Sequence, residues 1–219
     1  MNQKVLNISL PKERSLKQLK GFSFLQTIIN EIELFAKNND NFLLVNIKEN
    51  LIRNYLIQAT LNTLEPRPIL FDLKEQNFNL EPFKNSLVLI KNLSKEFLNH
   101  ESELFLFNAF NFCVDQNTKI LFSSNDFVKN LNITLPDLES RLNTILPIEM
   151  PNPSEEEKMN LINFELDQRG LKINEKEIKY IFTYHSRDLN SLLNLAEKLD
   201  EISYKEKKSI SIGLIKKII

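Results

Sequence analysis

SLVLI, residues 86–90, is apolar after its first residue and shows no polar alternation. A strand with one wet face alternates apolar and polar side chains, so an unbroken apolar run signals a strand covered on both faces. Three more such runs stand along the chain: FLLV (42–45), ILFDL (69–73) and KILFSS (119–124), and ILPIEM (145–150) reads as a fifth. Segments with helical spacing separate them. Residues 22–37 place Phe22, Leu25, Ile28, Ile29, Ile32 and Phe35 on one helical face. NLIRNYLIQATLNTL (50–64) is helical, 95–114 carries Leu98, Phe105, Ala109 and Phe112, and a short helix over 136–142 opens with Pro136 and Asp137. Strands of this kind alternating with helices predict an α/β fold, a parallel five-stranded sheet flanked by helices.

The pattern changes after residue 150. PNPS (151–154) is a linker that ends in a capping box, with Ser154 at the N-cap and Glu157 three residues on. A helix runs from there to Arg169, and Gly170 stands where a helix stops. A second helix is predicted over 174–183. A third starts at Ser186 and passes through Leu189, Leu192, Leu193, Ala196 and Leu199, and SIGLIKKII (211–219) is a candidate fourth. The predicted organisation is a polar arm over 1–20, broken by Pro11, an α/β domain over 21–150 and a small all-α domain over 151–219.

Length and charge narrow the classes. The chain has 219 residues and a net charge of −1, so no global basic field draws it to nucleic acid or a membrane surface. No apolar run is long enough to span a bilayer, and the start MNQKVLNISLPKERS lacks the apolar core of a signal peptide. Cys113 is the only cysteine, which rules out an internal disulfide and fits a reducing, cytoplasmic compartment. No Cys/His cluster has metal-ligand spacing, so no metal site is expected. Cys113 lies among Phe105, Phe110 and Phe112 and is expected to pack. His100 and His185 are isolated and read as non-catalytic. The chain is very poor in glycine, with three, and loops that wrap phosphate depend on glycine.

One string is more specific than the layout. LNITLPDLESRL (131–142), followed by PIEMPNPSEEEK (147–158), resembles the arginine-finger segment and lid approach of the bacterial replication initiator DnaA and its Hda-type regulators, in the AAA+ superfamily. The resemblance is strongest over 131–158 and weak before 85. It implies an AAA+ sheet domain followed by a helical lid. It places Arg141 at the finger position, from which a AAA+ subunit reaches nucleotide on its neighbour. It also places Arg187, in the Arg-Asp-Leu run 187–189, at the lid arginine. A solvated surface charge is the alternative for Arg141, and a structural role at a helix start for Arg187. No helix-turn-helix segment follows in the sequence, so the resemblance implies the regulator rather than the full initiator, without direct sequence-specific DNA binding.

The nucleotide positions depart from that family. A phosphate loop needs glycines, a lysine and a Ser or Thr. In NIKENLIRNYL (46–56), Asn50, Leu51 and Ile52 stand in the loop, Arg53 at the lysine position and Asn54 at the hydroxyl position. The stretch reads as a plain helix start. After the third strand, Lys91 stands where the metal-side carboxylate belongs, with Asn92 beside it, and a cation there would repel Mg²⁺. Ser123 and Ser124 lie at the sensor-strand end. No cofactor is expected, with ADP or ATP in a degenerate site as the alternative.

Hda-type regulators carry an N-terminal peptide that docks on the DNA polymerase sliding clamp. Here NISLP (7–11) is similar, with Asn7 where Gln is usual and Ile8 and Leu10 as apolar anchors; Gln3, Leu6 and Ile8 give a second register. An amide with apolar anchors in an extended strand suits such a pocket. The resemblance thus implies a regulator of chromosomal replication initiation that binds the clamp and stimulates ATP hydrolysis by the initiator in trans, without being an enzyme alone. A non-catalytic structural subunit of a replication complex and a divergent ATP- or ADP-binding ATPase stay open, as does self-association.

Overall fold

The computed structural model describes residues 14–75 and 78–219. They divide into two compact units, Arg14–Pro151 and Asn152–Ile219. The first contains α1 (Leu16–Leu19), α2 (Ser23–Lys37), β1 (Phe42–Asn46), α3 (Asn50–Thr63), β2 (Ile69–Asp72), β3 (Leu87–Leu93), α4 (His100–Asp115), β4 (Lys119–Ser124), α5 (Pro136–Asn143) and β5 (Pro147–Glu149). All five strands are parallel, in the order β2-β3-β4-β1-β5. Each continuously apolar run of the sequence became a strand, as burial on both faces requires.

Polar caps account for the boundaries that moved. α4 begins at His100 rather than near residue 95, because the Asn99 side chain accepts the Ser102 N–H while Ser102 Oγ accepts the Asn99 N–H. Residues 14–20 correct the expected arm over 1–20. Ser15 caps α1 in a box with Gln18, and Leu16 and Leu19 are buried. Leu16 N–H donates to Thr63 Oγ1, and the Arg14 guanidinium lies 3.4 Å from the centroid of the Tyr55 ring. Two leucines three apart behind a capping serine give a short helix with an apolar side, so this stretch packs on the α/β unit instead of extending. Gln3, Leu6, Asn7, Ile8 and Leu10 lie outside the described residues.

The core that positions the site lies between the sheet and α4 with α5. Leu44, Val88, Ile90, Ile120 and Phe122 meet Phe105, Leu106, Ala109, Phe110 and Cys113 of α4, and Leu138 and Leu142 of α5. Burial pushes the Cys113 thiol up to about 12, so it packs and does not act as a nucleophile.

The second unit contains α6 (Glu155–Gln168), α7 (Glu175–Tyr184), α8 (Leu189–Glu206) and α9 (Ile212–Ile215). Ser154 and Glu157 form the expected capping box, and Gly170 ends the helix at a positive φ of 74°. α8 starts at Leu189, not Ser186, because Asp188 caps it by accepting the Ser191 N–H. Ile162, Leu166, Ile181, Leu192, Leu195, Leu199 and Leu214 form its core. Among the described residues no helix is long and apolar enough to cross a membrane.

Candidate functional site

In an open parallel sheet, ligands sit beyond the carboxyl ends of the strands. Here β1, β3 and β4 end side by side, with Asn46 opposite Ser124 and Ser124 opposite Leu93. The connection from β1 to α3 is three residues, Ile47–Glu49, and α3 begins at Asn50 as the sequence predicts. Arg53 organises this turn. Its side chain is buried and turned back, with one guanidinium nitrogen donating to the Ile47 carbonyl at 2.7 Å and the other to Asn50 Oδ1 at 2.9 Å. Burial lowers the Arg53 pKa and the neighbouring Glu49 works the other way. Phosphate is cradled by N–H groups pointing inward; here the turn presents a carbonyl oxygen to a cation. Replacing Arg53 by Met should leave the Ile47 carbonyl without a charged donor and cost about 1–3 kcal/mol. The denaturant midpoint reads this, and Arg53→Lys should not restore it, since one ammonium cannot reproduce the fork.

Lys91 and Asn92 both turn to β2. Asp72 pairs with Lys91 in the strand register, and its carboxylate receives Lys91 Nζ at 2.9 Å, Asn92 Nδ2 at 2.6 Å and the Lys74 N–H at 3.0 Å. Burial works to raise the Asp72 pKa, but the bonds from Lys91, Asn92 and Lys74 outweigh it and hold the carboxyl below its usual range. A depressed carboxyl stabilises the fold above the ordinary carboxylate pKa, and that contribution disappears as pH falls through the folded-state value. Asp72→Asn should therefore be less stable than wild type near neutrality, and the gap should close below about pH 4. Chemical denaturation across pH reads it; a gap that does not narrow in acid would refute the assignment.

Asn54 follows Arg53 on α3 with its side chain exposed. Ser124 Oγ lies 2.9 Å from the Leu93 carbonyl oxygen and accepts the Asp126 N–H. It ties β4 to β3. Beside it are two groups that the sequence did not mark. Asn46 Oδ1 and Ser94 Oγ are buried and have no hydrogen-bond partner among the described residues.

Arg141 stands apart from that cluster, half-buried in the last turn of α5. One guanidinium nitrogen donates to Asn111 Oδ1 at 2.7 Å, and the group lies 4.4 Å from the Phe107 ring centroid and 5.9 Å from that of Phe110. Arg141 lines a surface depression of about 490 Å³ with Phe42, Phe110, Asn111, Val114, Asp115 and Thr144. Ion pairs involving Arg141 are absent among the described residues. Its charge is held at the surface by a neutral amide and an aromatic face. Phe107 and Asn111 also escaped the sequence reading. In the second unit, Arg187 Nε donates to the Phe182 carbonyl at 3.0 Å and Arg187 pairs with Glu155 at 3.1 Å. His185 Nε2 lies 3.2 Å from the Ser191 carbonyl oxygen.

Comparison with known proteins bears on both units. The family model for the lid domain of Hda matches residues 155–219. An uncharacterised protein of Haemophilus influenzae is 27% identical over 151 residues, which is 67% of this chain and 65% of that protein, so the chain spans just under two thirds of the relative's length. Domain III of the Thermotoga maritima replication initiation protein DnaA is similar in structure over 93% of this chain and 94% of its own, with a TM-score of 0.71 at 17% identity. AMPPCP-bound DnaA from Aquifex aeolicus is similar over 91% and 71%, with a TM-score of 0.63 at 15% identity. The Thermotoga maritima RuvB branch migration motor is similar over 93% and 70%, with a TM-score of 0.66 at 14% identity. At these identities the structures establish the AAA+-like fold of the sheet and its helical companion. The C-terminal unit is thus similar to the lid domain of Hda, on a chain whose fold resembles that of DnaA domain III.

Proposed function

We propose that this chain regulates the initiation of chromosomal replication by stimulating ATP hydrolysis on the DnaA initiator in trans, turning over no nucleotide itself. The observation that carries the reading is Arg141. Its guanidinium sits at the surface beside a depression, held by neutral partners, on the segment that resembles the family's finger. A charge kept this way remains available to an external anion. In the reaction, water attacks the γ-phosphorus, the bond to the β–γ bridging oxygen breaks, and ADP departs. Negative charge spreads over the transferred group's equatorial oxygens, and a guanidinium placed there stabilises it.

The chain's own strand ends support the second half of the proposal. Arg53 fills the turn where a phosphate loop would lie and takes up its inward carbonyl. Lys91 is committed to Asp72, which removes both a free carboxylate and a free cation from the metal position. These residues do not fit a magnesium–nucleotide group. Clamp docking through Gln3, Leu6, Asn7, Ile8 and Leu10 belongs to the proposal, which would hold the chain where initiator and DNA meet, in the cytoplasm.

A second reading has one observation in its favour. Asn46 Oδ1 and Ser94 Oγ are buried at the strand ends without a hydrogen-bond partner among the described residues, where a bound nucleotide would lie in the fold. ATP or ADP titrated into the isolated protein separates the two. The deciding assay measures hydrolysis by the cognate initiator on addition of this chain, with and without DNA-loaded clamp. Stimulation by a chain inactive alone is expected. Turnover by the isolated chain, or no stimulation of an initiator and clamp shown to be active, sinks the proposal.

A further inference from the structure

α5 is a helix of eight residues with no capping side chain of its own: its N-cap is Leu135 and its first residue is Pro136. A helix start leaves backbone N–H groups without partners, and a short helix has few other bonds to hold its direction. The missing cap comes from another helix. Glu103 of α4 is buried, at 2% exposure, and its carboxylate receives four bonds from the two residues before Pro136. Thr134 N–H lies 3.0 and 3.1 Å from Oε1 and Oε2, Thr134 Oγ1 donates to Oε2 at 2.7 Å, and Leu135 N–H donates to Oε2 at 2.8 Å. Just upstream, Asn132 takes a left-handed conformation, φ 55°, which turns the chain toward this anchor.

The same side of α4 holds the other end of the finger segment. Phe107, one turn beyond Glu103, lies under the Arg141 guanidinium, and Asn111, one turn further, accepts its hydrogen bond. Residues four apart share a helix face, so a single face of α4 grips α5 at its start and at its arginine. Leu138 and Leu142, both fully buried, set the rotation of α5 between these two points. We propose that Glu103 is the positioning residue for Arg141: its carboxylate fixes the start of α5, and with it the place from which the guanidinium is presented.

The inference rests on the trans-acting reading for its functional consequence, but its structural half stands without any partner. In Glu103→Gln one oxygen is lost and an amide NH₂ is brought against N–H donors, with little change in volume. Three measurements on the full chain test it. Amide exchange at Thr134 and Leu135 should accelerate by about tenfold or more on loss of charge-assisted bonds. The Arg141 Nε–H resonance should shift and broaden. In the initiator assay the maximal stimulated rate should fall by up to about a hundredfold, as expected for a group displaced by an ångström or so, while the concentration giving half-maximal stimulation stays unchanged. Thr134→Val, which removes only the hydroxyl donor, should reproduce a small part of the effect.

A variant with unchanged exchange at Thr134 and Leu135 and an unchanged Arg141 resonance overturns the proposal, whatever the assay shows. So does a variant whose only change is a lower thermal midpoint or a weaker half-saturation, since either marks a merely structural role. If wild type fails to stimulate the initiator while the exchange and resonance changes appear, the trans-acting reading falls and the positioning of Arg141 by Glu103 stands.

Discussion

Arg141→Ala is expected to remove the stimulation of initiator ATP hydrolysis almost completely, a loss on the order of 10³–10⁵ in the stimulated rate, the size an arginine finger contributes to phosphoryl transfer. The size follows from where the charge is used. Among the described residues the Arg141 guanidinium makes one hydrogen bond, to an exposed asparagine, and lies on a half-buried ring. Such contacts are worth about 0.5–1 kcal/mol at an exposed site, so the folded chain barely depends on them. Against a transferring phosphoryl group in a dry interface, the same guanidinium opposes a full developing charge. The variant should thus unfold at nearly the wild-type denaturant midpoint and still fail in the assay. Arg141→Lys keeps the charge without the planar fork, and recovery should be partial at best. A variant that stimulates like wild type would reduce Arg141 to a surface charge and leave the chain as a binding module.

Much of the fold could be read from the pattern of apolar residues, because burial on both faces leaves a parallel strand little choice. FLLV, ILFDL, LVLI and KILF mark β1 to β4 directly. What slipped was decided by single polar side chains. Asn99 and Asp188 displaced two helix starts by taking the N-cap, and Ser15 turned part of an expected arm into α1. The site was legible only in part, for a similar reason. Arg141 stands out through the string around it, but its holders lie on α4, about thirty positions earlier, where only tertiary packing brings them near. Glu103 reads in the sequence as one more acidic residue in a first helical turn. Arg53 could be seen to spoil a phosphate loop, yet not to close the turn with its own guanidinium. The pairing of Lys91 with Asp72 was nearest to being foreseen, since parallel register sets the two residues opposite one another.

Phe122→Ala should produce the largest loss of stability, about 3–5 kcal/mol. Phe122 is fully buried in the central strand β4, between Ile90 of β3 and Leu44 of β1. Its ring stacks on Phe110 at 5.7 Å, and Phe110 meets Phe42 at 4.5 Å. Strands on both sides hold the backbone in register, so the site cannot collapse to fill the cavity, which is the condition for a cost at the upper end. A domain of ordinary stability has about 5–15 kcal/mol in total, so the loss is roughly a fifth of it or more. The thermal midpoint should fall by roughly 6–20 °C, with amide protection reduced in β1, β3 and β4. A drop below about 1 kcal/mol would mean that the core repacks freely, against the close packing on which this estimate rests. The comparison with Arg141→Ala then separates two kinds of failure. Phe122→Ala leaves Arg141, Asn111 and Phe107 in place in every folded molecule, so well below its lowered midpoint it should still stimulate the initiator. Arg141→Ala should be folded and inactive at every temperature. Fold stability and finger chemistry therefore predict opposite rankings of the same two variants, and one temperature series distinguishes them.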